Sequence, residues 1–326
     1  MLCITHSSTD PYFNLAAEEY VLKNFPDNCF MLWQNENTIV VGKHQNTLAE
    51  INMDYIREKN IKVVRRLSGG GAVYHDLGNL NFTFIMNGHE GHLVDFKKYT
   101  LPVIQVLQKL SVDARFQGKN NLIINGKKFS GNAEHVYRKR VLHHGTILFS
   151  SLTDDLQLAL KVNPLKYQSK AVKSIRSRVT NVKEHLSQDI DLFRFRDMII
   201  EHVLEVFNDS RRHEFSEYDL KNITELRNKK YVTWEWNFGY SPDYVFEKSF
   251  ITSNDLVRIS MKVSSGIIQK VKMYVDSISK PDVAAVEDLL AGIRHVEQDI
   301  INKLRSEPLP DFFKQITVEE FARKLF

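Results

Sequence analysis

The sequence predicts an α+β protein, with a large region rich in short strands followed by a smaller appended domain. Three observations carry this. Short runs rich in Val, Ile and Phe, bounded by Gly, Asn and Asp, recur between residues 30 and 149 and read as strands. Asn125-Gly126 lies between two such runs, and Asn-Gly supplies the positive φ values of a two-residue hairpin turn. After Pro242, two alternating runs joined by Ser264-Ser265-Gly266 precede three helical patterns, a strand pair followed by helices. The 326 residues, 43% hydrophobic and 26% charged, suffice for one large and one small domain. The division is placed after residue 247, giving domains 1–247 and 248–326.

The elements follow in chain order. Asp10-Pro11 is an N-cap followed by proline at the first helical position, and Phe13, Ala16, Ala17, Tyr20, Val21 and Phe25 recur at helical spacing, so an amphipathic helix is expected. Residues 30–33 and 38–41 read as a hairpin about Asn35-Glu36-Asn37, and 48–59 as a helix. Strands are expected at 63–66, 72–75, 80–86, 121–124, from Phe129 onward, and at 141–149. Pro102 opens a buried helix at 101–110. Residues 165–181 carry Lys166, Lys170, Lys173, Arg176 and Arg178 with no acid, which suits either a solvated face or a mobile loop closing over an anion. A helix at 191–207, strands at 256–263 and 267–275, and helices at 283–293, 296–305 and 318–325 complete the chain.

Lys plus Arg number 44 against 40 Asp plus Glu, a net charge of +4, too mild a bias to imply nucleic acid. The two cysteines, Cys3 and Cys29, exclude a disulfide framework and a cysteine metal motif, and a reducing cytoplasm fits them best. Nowhere do eighteen apolar residues follow one another, so no membrane-spanning segment is expected. A cytoplasmic monomer without nucleic-acid or membrane partners is the expectation.

The chemistry concentrates in Arg65-Arg66-Leu67-Ser68-Gly69-Gly70-Gly71-Ala72-Val73-Tyr74-His75-Asp76. Three successive glycines leaving a strand let backbone approach a ligand, because no Cβ intervenes. The arginines and Ser68 add charge and a hydroxyl suited to a carboxylate or phosphate. A tight hairpin with an exposed arginine pair is the plainer alternative. No phosphate-binding loop of the Gly-x-x-x-x-Gly-Lys type is present, and the segment runs strand, loop, strand without a helix N-terminus for a pyrophosphate.

That stretch, extended by Leu77-Gly78-Asn79, resembles the signature of lipoate-protein ligases in the biotin and lipoate ligase superfamily. Asp10-Pro11-Tyr12-Phe13-Asn14-Leu15-Ala16, Gly42-Lys43-His44-Gln45-Asn46, Lys127-Lys128-Phe129-Ser130-Gly131-Asn132-Ala133, His143-His144-Gly145-Thr146, Ser174-Ile175-Arg176-Ser177-Arg178-Val179-Thr180-Asn181 and Trp234-Glu235-Trp236-Asn237-Phe238-Gly239 support it. The resemblance implies mixed, largely antiparallel sheets flanked by helices, and a C-terminal accessory domain. It implies an ATP-dependent reaction in which lipoate becomes lipoyl-AMP and a lysine of an apo lipoyl domain then takes the acyl group. The acceptors implied are the lipoyl domains of 2-oxoacid dehydrogenase E2 subunits and the glycine-cleavage H protein, with Mg²⁺ accompanying ATP.

By position the resemblance makes Lys128 the catalytic cation between acyl carbonyl and phosphate, with a solvated hairpin lysine as the alternative. It makes Arg66, Ser68 and Gly71 phosphate and carboxylate contacts. Val73, His75, Ala133 and His144 would line a mostly apolar acyl slot. Gly78, Asn79, Asn121, Ser130, Gly131, Gly145, Thr146, Arg176 and Arg178 complete the expected lipoate and adenylate site, and no residue is assigned to a metal. His143 and His144 are not a metal pair, since neighbours on a strand face opposite sides. Two positions depart from the family: Asn121 stands where it commonly has aspartate, a weaker ligand for a hard cation, and Lys43 where arginine is usual. A lipoyltransferase using preformed lipoyl-adenylate or another acyl donor would keep most of these residues. An acyl-adenylate sensor, the non-enzyme alternative, would need an effector module, and no helix-turn-helix is evident.

Overall fold

The computed structural model describes every residue except 89–92, 153–157, 161–165, 176, 253–254, 277–282, 309–310 and 315. The chain forms two compact units. The first comprises 1–43, 56–160 and 174–233, and the second 44–55, 161–173 and 234–326. The division expected after residue 247 falls inside a strand, Tyr244–Ile251. The second unit therefore starts earlier, and it also takes two segments from within the first, which a single cut in sequence cannot express.

In the first unit, β1 (Leu2–Thr5), β2 (Cys29–Trp33), β6 (Asn79–Asn87), β7 (Ala114–Gln117), β8 (Asn121–Ile124), β9 (Lys127–Tyr137), β10 (Arg140–Leu148) and β12 (Arg211–His213) form one sheet. Its order is β12-β1-β2-β6-β10-β9-β8-β7. The β1 pairings are parallel and the rest antiparallel. A second sheet joins β3 (Thr38–Val41) to β4 (Lys62–Arg65) and β5 (Val73–His75). Thus β2 and β3, expected as one hairpin, lie in different sheets. The Asn125-Gly126 hairpin forms as expected, with φ of 49° and 74° at its two turn residues.

Alternation divides the large sheet into two faces. Phe30, Leu32, Phe82, Phe84, Phe129, Val141 and Ile147 pack against the helices Phe96–Lys109 and Leu192–Val206 in one apolar layer. The first of these helices starts at the Asp95 cap, which accepts from the Lys98 amide, so Pro102 sits inside it rather than at its entrance. The opposite face meets the helix Pro11–Asn24, capped by Asp10. This helix is not amphipathic: residues 14–22 are all buried, Glu18 and Glu19 included. Glu19 is neutralised by Lys23, Lys230 and the Tyr231 hydroxyl. The helix expected at 48–59 is two short turns, Thr47–Glu50 and Met53–Glu58.

The second unit wraps the antiparallel sheet β11-β13-β14-β15, formed by β11 (Tyr167–Ser169), β13 (Tyr244–Ile251), β14 (Leu256–Ser264) and β15 (Ile267–Asp276). Phe246, Ile259, Met261 and Val271 pack against the helices Ala284–Leu290, Glu297–Arg305 and Val318–Lys324. Part of the basic stretch expected as a mobile loop is therefore an edge strand. His295 ties this core together. Its Nε2 lies 2.7 Å from the Leu325 carbonyl and must donate, so Nδ1 accepts from the Tyr244 hydroxyl at 2.7 Å.

Burial pushes the His295 pKa down to about 4, against an ordinary 6.5. The unfolded chain therefore binds a proton that the folded unit refuses between these values. The corresponding stability is complete above about pH 6.5 and falls as the pH drops toward 4, by up to about 1.4 kcal/mol per pH unit. Denaturant unfolding across this window should show a slope to which His6 and His75, also held below their ordinary pKa by burial, contribute, and His295→Gln should reduce it; an unchanged slope would exclude His295 as a contributor.

Candidate active site

Arg66 continues β4 and is buried. Its guanidinium donates to the Ser68 hydroxyl (3.0 Å) and to the carbonyls of Val40 (3.1 Å), Gly69 (2.7 Å) and Gly71 (2.7 Å). These bonds fold the glycine loop around the arginine. Burial lowers the Arg66 pKa to about 10, and Glu18 opposes the shift, so it stays charged at neutral pH. Arg65, fully buried, braces the preceding loop through the carbonyls of Gly42 and Lys43. The exposed arginine pair of the plainer reading is excluded. A Cβ at Gly42 would lie 2.1 Å from the Gly70 carbonyl oxygen, and Gly70 has φ of +90°, so both glycines are required by the loop itself.

Ser68 is the start of a buried relay. Its hydroxyl lies 2.6 Å from His144 Nε2, and His144 Nδ1 lies 3.0 Å from Glu18 Oε1. Glu18 also accepts from Thr83 Oγ1 (2.6 Å), which accepts from Trp33 Nε1 (3.0 Å). Ser68 accepts from Arg66 and donates to His144 Nε2, which places the His144 proton on Nδ1, toward the Glu18 carboxyl group. His75 is fixed differently. Asn35 Oδ1 accepts from Asn14, so its amide nitrogen donates to His75 Nδ1 at 3.1 Å and the imidazole proton sits on Nε2. Burial, with Arg66 and His144 nearby, pushes the His75 pKa down to about 3, keeping it a neutral donor. Among the described residues, Nε2 of His75, Oδ1 of Asn79 and Nδ2 of Asn81 are buried without a partner.

The face that carries His75 and His144 also carries polar groups. Asn79, Asn81 and Thr83 alternate along β6 with the core residues Leu80, Phe82 and Phe84, and Thr83 lies opposite His144 on β10. Glu18, Trp33, Asn35, Asn81 and Thr83 were missed from sequence. The available signal was an acid pair inside Leu15-Ala16-Ala17-Glu18-Glu19-Tyr20-Val21-Leu22; a charge in such a buried run needs a partner.

Lys128 reaches this face because β9 is irregular. Leu122 pairs with Ser130 but Ile123 pairs with Lys128, so Phe129 is an extra residue. Phe129 enters the core, and Lys128 turns to the face shared by Gly131, Ala133 and His144. A Cβ at Gly131 would lie 2.9 Å from Lys128 Cε and Nζ, so Gly131 makes room for this side chain. Burial lowers the Lys128 pKa, and Arg66 lowers it further. Among the described residues no carboxylate pairs with Lys128.

The segment from Ser174 crosses the glycine loop: the Ala72 amide donates to Ser174 Oγ at 2.8 Å. Val179 bridges to Lys128, whose amide donates to the Arg178 carbonyl while its own carbonyl accepts from the Thr180 amide. The Arg178 side chain is exposed, and Arg176 lies outside the described residues. Thr146 Oγ1 accepts from the Gly131 amide at 3.3 Å, and Asn121 lies opposite Gly131. Val73 and Ala133 are half-buried. Gly78 serves packing, since a Cβ would lie 2.3 Å from the Ser150 oxygen. Ser130 faces away from His144, toward the apolar layer, and a Cβ at Gly145 would strike Asn132 and Phe82 on that side. Gly42→Ala should cost about 1–3 kcal/mol through the Gly70 clash, measured by denaturant unfolding; a neutral effect would mean that the two loops separate freely.

The lipoyl protein ligase A/B catalytic domain family matches residues 10–204, and the bacterial lipoate protein ligase C-terminus family matches 241–325. A lipoate-protein ligase 1 of Staphylococcus aureus is 41% identical over 97% of this chain and 96% of its own length. Among solved structures, an archaeal bi-partite lipoate protein ligase from Thermoplasma acidophilum, studied with its E2 lipoyl domain, superposes with a TM-score of 0.64 at 27% identity. It covers 73% of this chain and 96% of its own. A lipoate-protein ligase A bound with ATP gives 0.63 at 27% identity, covering 73% and 98%. With the catalytic family spanning the glycine loop, relay and bulge strand, and the relative aligned along nearly the whole chain, this protein belongs to the lipoate-protein ligase family.

Proposed function

We propose that this chain activates lipoate with ATP to lipoyl-AMP and then transfers the lipoyl group to a lysine of an apo lipoyl domain. The observation that carries this reading is the Lys128 ammonium, part-buried beside Arg66 and among the described residues paired with no carboxylate. A cation held without a counter-charge suits a reaction that brings two anions together. In the first half-reaction the lipoate carboxylate attacks the α-phosphate of ATP and pyrophosphate leaves. Lys128 would stabilise charge on the phosphate, while the loop ordered by Arg66 presents backbone amides. In the second, a neutral lysine amine attacks the acyl carbonyl, AMP departs and an amide forms.

Mg²⁺ enters as part of the nucleotide substrate. The chain offers the neutral Asn121 at the position where the family commonly has aspartate, and among the described residues no three His, Cys, Asp or Glu side chains cluster. The orphaned groups of His75, Asn79 and Asn81 are suited to orient polar parts of the acyl-adenylate. For acceptors we favour E2 lipoyl domains, following the archaeal ligase studied with its E2 lipoyl domain, and the glycine-cleavage H protein. The two buried free cysteines suit a reducing cytoplasm, and a monomer is the working state. Asn121 favours one alternative, a transferase that needs preformed lipoyl-adenylate.

Lipoate-dependent ATP–pyrophosphate exchange distinguishes the two, followed by mass spectrometry of an apo lipoyl domain. Exchange and a lipoyl mass gain are expected with lipoate, ATP and Mg²⁺; modification only from supplied adenylate would demote the ligase to a transferase. Lys128→Ala should lower exchange by about 10²–10³-fold without loss of folding, and retention of full exchange would remove Lys128 from its role.

A further inference from the structure

Behind the strand that carries Lys128 lies a row of polar side chains on the face that should be apolar. Ser130, Asn132 and Glu134 alternate along β9 toward the helix Phe96–Lys109, opposite to Ala133 and His144, and all three are buried. His143 joins them from β10, directly across from Glu134. Its Nδ1 lies 2.8 Å from Glu134 Oε1 and its Nε2 3.3 Å from Asn132 Oδ1, among the rings of Phe82, Phe96 and Tyr99. Burying such groups is costly unless each is bonded. Glu134 Oε2 has no partner among the described residues, and because burial lowers the His143 pKa the neutral ring donates to only one of Glu134 and Asn132 at a time. The Asn132 bonds lead toward the site.

The Asn132 amide nitrogen donates to the Asn120 carbonyl (3.1 Å) and to Ser130 Oγ (3.2 Å). The Asn132 backbone amide donates to the same carbonyl (3.0 Å), and Asn120 Nδ2 returns a bond to the Asn132 carbonyl (2.6 Å). Asn120 and Asn132 thus clasp each other across two strands. The clasp holds together the residues flanking two site positions, Asn121 and Gly131, which pair directly. Gly145 keeps its space open, since a Cβ there would lie 2.1 Å from Asn132 Oδ1.

We propose that Asn132, seated by the buried His143–Glu134 pair, is a positioning residue that fixes the Asn120-Asn121 turn against Gly131 and Lys128 for the nucleotide half of the reaction. It acts through Asn120, Ser130 and Gly131. The acyl side, built from His144, Glu18 and Ser68, shares a face with Lys128 and Gly131 but makes no hydrogen bond to Asn120 or Asn132 among the described residues, so loss of the clasp loosens the phosphate cradle and leaves the lipoate contacts in place. The proposal rests on the ligase reading.

The test is steady-state pyrophosphate exchange with separate titrations of MgATP and lipoate. Wild-type exchange checks the ligase reading independently. Asn132→Ala is expected to raise the KM for MgATP at least tenfold, with the KM for lipoate within twofold of wild type. Asn120→Ala, at a part-exposed position that guards against a folding failure, should do the same. The double variant should be no worse than the poorer single, because both remove one clasp. Glu134→Gln, close to isosteric, should produce a smaller shift in the same direction. Equal changes in both KM values, additive effects in the double variant, or lower thermal stability with unchanged KM for MgATP would each overturn the proposal.

Discussion

The buried guanidinium of Arg66 is the constraint on which the site depends. A charge so enclosed is tolerated only with its donors engaged, and here they engage carbonyls of β3 and of the glycine loop. The loop therefore has a shape before any ligand arrives. Its glycines are permissive by nature and would otherwise be costly to order; the arginine and the close approach of Gly42 restrict them. The same guanidinium donates to Ser68, which fixes the hydroxyl toward His144 and, through it, Glu18. One side chain thus sets both the backbone cradle and the direction of the buried relay.

The β9 bulge makes the complementary contribution. An extra residue at Phe129 changes which face each side chain takes. Phe129 contributes its ring to the core and Lys128 is delivered to the face that carries Ala133 and His144. Without it, Lys128 would share a face with Ser130 and Asn132, beneath the helix Phe96–Lys109. The cation, the polar row on β6 and the glycine loop meet because three sheet-level facts coincide: the bulge, the β6–β10 register and the packing of Gly42 on Gly70.

Much of the architecture was legible locally. Turn chemistry located the Asn125-Gly126 and Ser264-Ser265-Gly266 hairpins, the Asp10 cap located the first helix, and apolar periodicity located the helix Leu192–Val206. Local pattern failed where the partner is distant. Residues 30–41 look like a hairpin, yet β2 and β3 belong to different sheets. The helix Pro11–Asn24 has helical periodicity but no solvent face, since Glu18 and Glu19 find their partners in strands and in the segment near residue 230. The basic stretch near residue 170 keeps Lys170, Lys173 and Arg178 exposed, as a solvated face does, but its edge strand Tyr167–Ser169 is set by pairing with a strand far along the chain.

By itself the sequence determined the family, the place of the glycine loop in the chain and the order of most elements, because these rest on residue types at fixed short spacings. Tertiary structure decided what each group does. Proton positions on His75, His144 and His295 follow from neighbours far apart in the chain. It also decided that Arg66 organises backbone, that the face carrying His144 also carries Glu18 and Thr83, and that the second unit recruits segments from inside the first. Hydrogen-bond partnership and strand register are relations between distant residues, and no local window of sequence contains both members.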